Sequence, residues 1–334
     1  MKLLTRDIGT ITYAASQQRT LQLPRAYAYR ALSLKLVASI TVTETTAGTV
    51  KDSAPAQLVS NIVVRANGRD VIKNYSLASI HRFNQFQRGV RPYISGFANT
   101  TAASAATYYV HGIIPFEMYR AIKPIDTLMD SAGMATLEMI VTWGTGADIF
   151  GGAYGGTVTV NSAYLYVSSF EAIGVPSGTQ FITHKEYEIV STITAASTKH
   201  QINLPVSNLY RGFLIKTVSD DANVDTILNN VQIKSGTEVY INKNAFHLQM
   251  DNRADYAMEC PVSTAGALGG ADYANRLLTG FYFVDFVRDG RLTEALNTGQ
   301  LSSLEMVLDV NHPGTTDVLT IVPVELVLPP KNEA

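Results

Sequence analysis

Cysteine is almost absent from this chain of 334 residues, where Cys260 stands alone. One thiol excludes an intrachain disulfide and any thiolate metal cluster, so nothing requires an oxidising compartment. Charge is scarce as well. Only 16% of the residues are charged, against about 25% in an ordinary soluble domain, and 26 basic residues against 28 acidic ones leave a formal net charge of -2. Such a chain is a poor candidate for wrapping nucleic acid, because that affinity comes largely from cations displacing phosphate counterions. No apolar run approaches the ~20 residues a membrane helix needs. Residues 1–13 carry Lys2 and Arg6 around the brief apolar pair Leu3-Leu4, which is no signal-peptide core. The expectation is synthesis in the cytoplasm and a chain that stays soluble until it meets a partner.

The residue patterns of catalysis are missing too. His81, His111, His184, His200, His247 and His312 lie far apart, none at an i, i+4 or HxH spacing, whereas zinc wants three or four converging ligands. Asp220, Asp221 and Asp225 lack the alternating oxygen ligands and closing glutamate of a calcium loop. The glycines at 144, 146, 151, 152, 155 and 156 form no GxGxxG and precede no Lys-Ser or Lys-Thr, so they read as a turn between strands. No GxSxG elbow occurs, and Cys260 sits beside Pro261 without a neighbouring base. No catalytic, cofactor-binding or metal-ligating residue is assigned. Two acids can converge from anywhere in a chain, so a catalytic carboxylate pair stays open.

What the chain does have is one stretch written twice. Ala14-Ala15-Ser16, Leu23-Pro24, Tyr29-Arg30 and Lys35 return, without a gap and 181 residues later, as Ala195-Ala196-Ser197, Leu204-Pro205, Tyr210-Arg211 and Lys216. Eight of 22 aligned positions are identical and three more stay apolar. The echo continues with Val64-Arg65 and Asp70-Val71 facing Ile233-Lys234 and Glu238-Val239, and with Leu137-Glu138-Met139 facing Leu304-Glu305-Met306 at an offset of 167. A period near half the chain is the size of a whole domain. The length agrees with two domains, and Gly174–Gly178, with Pro176, is the expected boundary: 1–174 and 175–334.

Within each copy the hydrophobic period is two. Every even position from Leu32 to Val42 is apolar, and Leu137, Met139, Val141 and Trp143 alternate as do Leu304, Met306, Leu308 and Val310. Asn67-Gly68 marks a hairpin between strands at 59–65 and from Asp70. Leu77, Ile80, Phe83 and Phe86 form a helical stripe of about three turns, with a shorter counterpart expected at Asn244–Asp251. Residues 95–106 read as an exposed loop before a strand from Tyr108, Glu117–Met129 as one or two helical turns broken by Pro124, and Thr157–Phe170 as a central strand. Seven or eight strands per copy with few helices indicate an antiparallel sandwich or barrel, since a parallel sheet would need a helix after nearly every strand.

Tyr29-Arg30 and Tyr210-Arg211 invite a base-stacking reading. Their repetition just after a proline and before a strand favours a clamp between strands or subunits. Glu138 and Glu305 alternate with core residues at matching sites, which indicates a shared structural role. Seventeen tyrosines in a charge-poor chain suit surfaces that bury one another, where aromatics are enriched and Lys and Glu depleted.

Two consecutive β-domains in a cysteine-poor, near-neutral chain, with the LP…YR…K stretch in both, resemble the double jelly-roll major capsid proteins of tailless icosahedral viruses with an internal membrane, the lineage shared with adenovirus hexon. The short loops are similar to those of its bacteriophage members. The resemblance implies an all-β fold of two tandem eight-stranded antiparallel jelly-roll barrels with short helical insertions. It also implies a non-enzymatic capsid protein in which homotrimers, with six similar walls, tile an icosahedral virion shell. It would be made in the host cytoplasm and end in the virion. Its partners would be itself, neighbouring capsomers, minor capsid or vertex proteins, and the inner virion membrane through Lys2 and Arg6, with no direct nucleic acid. A longer amphipathic N-terminal helix, frequent in that family, has no equivalent in the dozen or so residues before the repeat. The alternatives on this architecture are a glycoamidase-like hydrolase acting on glycans and a carbohydrate-binding protein; the latter would want clustered exposed Trp and Tyr, whereas the single Trp143 alternates as a buried residue.

Overall fold

The computed structural model describes residues 2–43, 49–88, 92–97, 103–151, 156–176, 179–256 and 279–329; Cys260, Gly152 and Gly155 fall outside them. The chain forms two compact units, Met1–Tyr187 with Leu326–Ala334, and Glu188–Glu325.

In the first unit the strands are β1 (Lys2–Thr12), β2 (Gln18–Gln22), β3 (Ala28–Val42), β4 (Val59–Ala66), β5 (Asp70–Tyr75), β6 (Ala103–Pro115), β7 (Met129–Asp130), β8 (Leu137–Trp143), β9 (Val158–Ile173) and β10 (Thr183–Tyr187), with helix α1 (Leu77–Arg88) between β5 and β6. They build two antiparallel sheets, ordered β1-β9-β3-β6 and β2-β8-β4-β5. Leaving out the two-residue β7 and the added β10, eight strands among the described residues cross between the sheets in sequence order, with only the β4-β5 hairpin staying in one sheet, which is the winding of a jelly roll. The predicted period of two is what closes it. Leu32, Leu34, Leu36, Ala38, Ile40 and Val42 of β3 are buried, as are Leu137, Met139, Val141 and Trp143 of β8. Each large apolar side chain so buried contributes about 1.5–3 kcal/mol.

The second unit repeats the plan with β11 (Ile189–Ile193), β12 (Ser197–Leu204), β13 (Leu209–Ser219), the short β14 (Ala222–Asn223), β15 (Leu228–Ser235), β16 (Glu238–Asn244), helix α2 (Ala245–Asp255), β17 (Phe281–Asp285), β18 (Leu296–Asn297), β19 (Leu304–Val310) and most of β20 (Asp317–Val327). Its sheets are β11-β20-β13-β17 and β12-β19-β15-β16. Tyr210, Phe213, Ile215, Val231, Ile233, Met306 and Leu308 are among the residues of one buried cluster. The all-β, two-barrel fold with short helical insertions is thus the observed one.

Asn67 and Gly68 both take positive φ, 53° and 72°, as the predicted tight hairpin requires. β9 lies between β1 and β3 and is central. Three local expectations need correction. The second helix is not the shorter piece Asn244–Asp251: it spans Ala245–Asp255 with Asn244 as its N-cap, whose side chain accepts from the Phe246 and His247 amides. The counterpart of a 12-residue helix is therefore 11 residues long. β6 begins at Ala103, inside the segment read as loop, because cross-strand pairing with Val42 and Ile40 outweighs the small polar side chains there. Around Pro124 a single 3-10 turn, Pro124–Thr127, forms.

Candidate interaction surfaces

The duplicated residues turn out to do the same work in both units. The Tyr29 hydroxyl donates to the Pro24 carbonyl at 2.6 Å, and the Tyr210 hydroxyl to the Pro205 carbonyl at 2.7 Å. Each closes the turn that delivers the chain into β3 or β13. Burial, and then the nearby Glu171, push the Tyr29 phenol well above its ordinary range, so it stays a donor. A buried glutamate from the last strand of the barrel backs each site. Glu171 of β9 accepts from Arg6 at 3.0 and 2.9 Å and from Ser169 at 2.6 Å. Glu325 of β20 accepts from Tyr210 at 3.1 Å and Asn208 at 2.9 Å. The adjoining arginines pair with acids of their own unit, Arg30 with Glu117 at 2.6 Å and Arg211 with Asp285 at 3.5 Å. Of the two readings of the Tyr-Arg motif, both pairs act as the clamp between strands.

Glu138 and Glu305 also share a role. Each sits directly opposite a cation on the neighbouring strand, Arg65 at 2.6 Å and Lys234 at 3.2 Å. These cross-strand ion pairs give the outer face of the β2-β8-β4-β5 sheet, and of its repeat, a charged character.

One repeated device escaped the sequence reading. The Asn84 side chain of α1 accepts from the Ile113 amide at 2.7 Å and donates to the Ile113 carbonyl at 2.6 Å. Asn252 of α2 does the same to Phe283, at 2.8 and 2.7 Å. β6 and β17 end their sheets, and an unpaired strand edge is a template for unwanted pairing. In both copies a helical asparagine occupies that edge. The two asparagines stand 168 residues apart, the offset already seen for Asp70 and Glu238.

The outer face of β1-β9-β3-β6 is different in kind. Tyr109, Val37 and Tyr164 line up across three strands, with Lys35 and Tyr166 paired in the neighbouring row. Tyr109, Tyr164 and Tyr166 are 40%, 38% and 44% exposed. The Lys35 ammonium lies 5.8 Å from the Tyr109 ring centre, and Tyr164 and Tyr166 are 6.3 Å apart. Around them the face carries hydroxyls, among them Ser33, which meets His111 at 3.0 Å. Burial and the Arg88 charge lower the His111 pKa, favouring neutral imidazole. A nearly uncharged, tyrosine-rich sheet face matches the composition of buried protein interfaces.

The remaining candidates have partners of their own. His200 meets Ser191, His312 meets Asp317 and His81 donates to the His111 carbonyl. Asp220 accepts from Thr315 and Thr316, and Asp225 from Gln249, Gly280 and Tyr282. Among the described residues no group of three His, Cys, Asp or Glu is placed to hold a metal, and no helix is long and apolar enough to cross a membrane. Lys2 is exposed, while Arg6 is engaged by Glu171.

One buried polar cluster has no signature in the sequence. Lys73 of β5 and Glu186 of β10 form an ion pair at 3.0 Å with neither side chain exposed beyond 1%. Gln87 donates to the same carboxylate at 2.8 Å, and His184 lies 3.1 Å from it. Burial alone would raise the Glu186 pKa; Lys73 and His184, by charge and hydrogen bond, outweigh it and hold the carboxyl well below the usual range.

No family model matches the sequence, and no curated protein matches it. Solved structures do match. The major capsid protein of the Sulfolobus Turreted Icosahedral Virus is 15% identical with a TM-score of 0.74, covering 98% of both chains. The major capsid protein of bacteriophage PM2 is 10% identical with a TM-score of 0.63, covering 99% of both. The capsid of the PBCV-1 virus gives 9% identity and a TM-score of 0.60 over 98% of this chain and 95% of that one. The chain has the double jelly-roll fold of these proteins.

Proposed function

We propose that the chain is the major capsid protein of a tailless icosahedral virus, a bacteriophage in the narrowest form of this reading, and that it acts by assembly and not by catalysis. The observation that carries the proposal is likeness end to end: two barrels over 98% of this chain and 98% of a viral capsid protein. Residues 1–174 and 175–334 are the two barrels in this reading. The charge-poor tyrosine face of the first unit, with Tyr109, Tyr164 and Tyr166, supports burial against other chains. A chain with two similar barrels presents six walls when three copies surround an axis, so a homotrimer suits a six-fold lattice position.

Finer points follow as parts of the same proposal. The capsomer meets neighbouring capsomers and minor or vertex proteins, and the genome does not touch the shell, in keeping with the low charge. If the inner face meets a membrane, Lys2 carries that contact, because Arg6 is held by Glu171; one cation contributes only about 1 kcal/mol near an anionic surface. The protein is made in the host cytoplasm and ends in the virion. Size-exclusion chromatography with light scattering tests the proposal: three chains of 36.2 kDa give a mass of about 109 kDa, whereas a monomer that cleaves glycopeptides would replace it with the hydrolase.

A further inference from the structure

Each unit ends its second sheet on an edge strand, β5 in the first and β16 in the second. The two correspond residue for residue at an offset of 168 and carry the same irregularity, just after Val64 pairs with Lys73 and Ile233 with Ile241. The β5 edge is occupied: β10 runs along it in parallel, Glu186 opposite Lys73 and Tyr187 opposite Asn74. Among the described residues no strand pairs with the corresponding edge of β16. There Val239 is 47% exposed, and Ile241 is only partly buried where Lys73 is sealed.

The counterpart of β10 can be identified from register. β11 pairs with β20 as the second half of β1 pairs with β9: Ile189 opposite Ile321 and Ser191 opposite Leu319 repeat Gly9 opposite Val167 and Ile11 opposite Leu165. That is an offset of 180 between β1 and β11. β10 precedes β11 by Glu188 alone, and β1 has its bulge at the matching Ile8. The same offset places Glu186 and Tyr187 on Arg6 and Asp7. The segment Lys2–Asp7 is therefore what β10 is to β11, and among the described residues β1 pairs with β9 only.

We infer that Lys2–Asp7 of one chain adds in parallel to the β16 edge of a second copy, Arg6 opposite Ile241 and Asp7 opposite Asn242. Main-chain hydrogen bonds supply the attraction, as in other strand additions to a free edge. Each chain has one donor strand and one acceptor edge, so the contact is head to tail and closes into a ring when the rotation allows. The inference rests on the homotrimer proposed above and names the contact that closes it.

The test is a cysteine pair at the expected register, Asp7→Cys with Asn242→Cys in a Cys260→Ser background; Asp7 and Asn242 are both exposed, and circular dichroism checks the fold. Adjacent strands about 4.8 Å apart bring opposed Cβ atoms within disulfide reach. Mild oxidation is expected to give a covalent ladder ending at three chains, reversed by reductant, while Asp7→Cys with Gln201→Cys stays a single chain. A particle of three chains that does not cross-link overturns the inference and leaves the trimer standing. A one-chain mass overturns both, and a cross-link within one chain, or equal cross-linking of the Gln201 control, overturns the inference.

Discussion

The outer face of β1-β9-β3-β6 in the first unit and the same face of β11-β20-β13-β17 in the second have the same ancestry and opposite character. Where the first shows Ser33, Tyr166 and Ser168, the second has Leu214, Thr320 and Val322 at the aligned positions. Tyr166 is 44% exposed and Thr320 8%; Leu214 and Val322 are fully buried. Other devices, by contrast, barely changed: the Tyr-to-Pro clamp, the buried glutamate, the Asn edge cap and the cross-strand Glu pair are all present twice. Both copies keep these devices, while the outward face of the first sheet diverged.

The sharpest way to break that comparison is a buried ion pair that the copies do not share. Lys73→Met leaves the buried Glu186 without its lysine and should cost about 3–5 kcal/mol in denaturant unfolding, while Lys73→Met with Glu186→Leu should recover most of it. The corresponding Ile241→Met should be nearly silent. Glu186 also sets a pH dependence. Its folded pKa is lowered, so its contribution is complete above the unfolded carboxyl value of about 4.3 and is lost as pH falls below that toward the folded value. Unfolding series from pH 7 to 3 should show a decline that the double variant shows more weakly.

The shared devices should respond alike. Asn84→Ala and Asn252→Ala each strand a buried amide and carbonyl at a sheet edge, and each should cost about 2–4 kcal/mol; a loss confined to one would undo their equivalence. Tyr29→Phe and Tyr210→Phe should cost about 1 and about 2 kcal/mol, the second more because Tyr210 also donates to Glu325. Smallest of all, Arg65→Ala and Lys234→Ala remove partly exposed ion pairs and should change stability by less than about 1 kcal/mol, less still in high salt.

Much of this was legible in the sequence because repetition and period two leave marks there. The Leu-Pro and Tyr-Arg pairs, Glu138 with Glu305, and the alternation around Trp143 led to two β-barrels and to their clamps. The Asn84–Asn252 pair leaves no such mark, although it keeps the offset of 168, because one polar residue on a helix carries no period of its own. Lys73 and Glu186 were invisible for a physical reason: nothing in composition shows that two distant charges will be buried against each other. Arg6 looked like a free cation for the same reason, since Glu171 stands 165 residues away.

The most direct measurement is a single-particle electron-microscopy reconstruction of the purified protein. Six barrels around a three-fold axis, with the tyrosine face of each first unit covered and Lys2–Asp7 lying along the β16 edge of the next chain, is the expected result. A lone chain, or a ring with Tyr109, Tyr164 and Tyr166 open to solvent, would contradict assembly through these flanks.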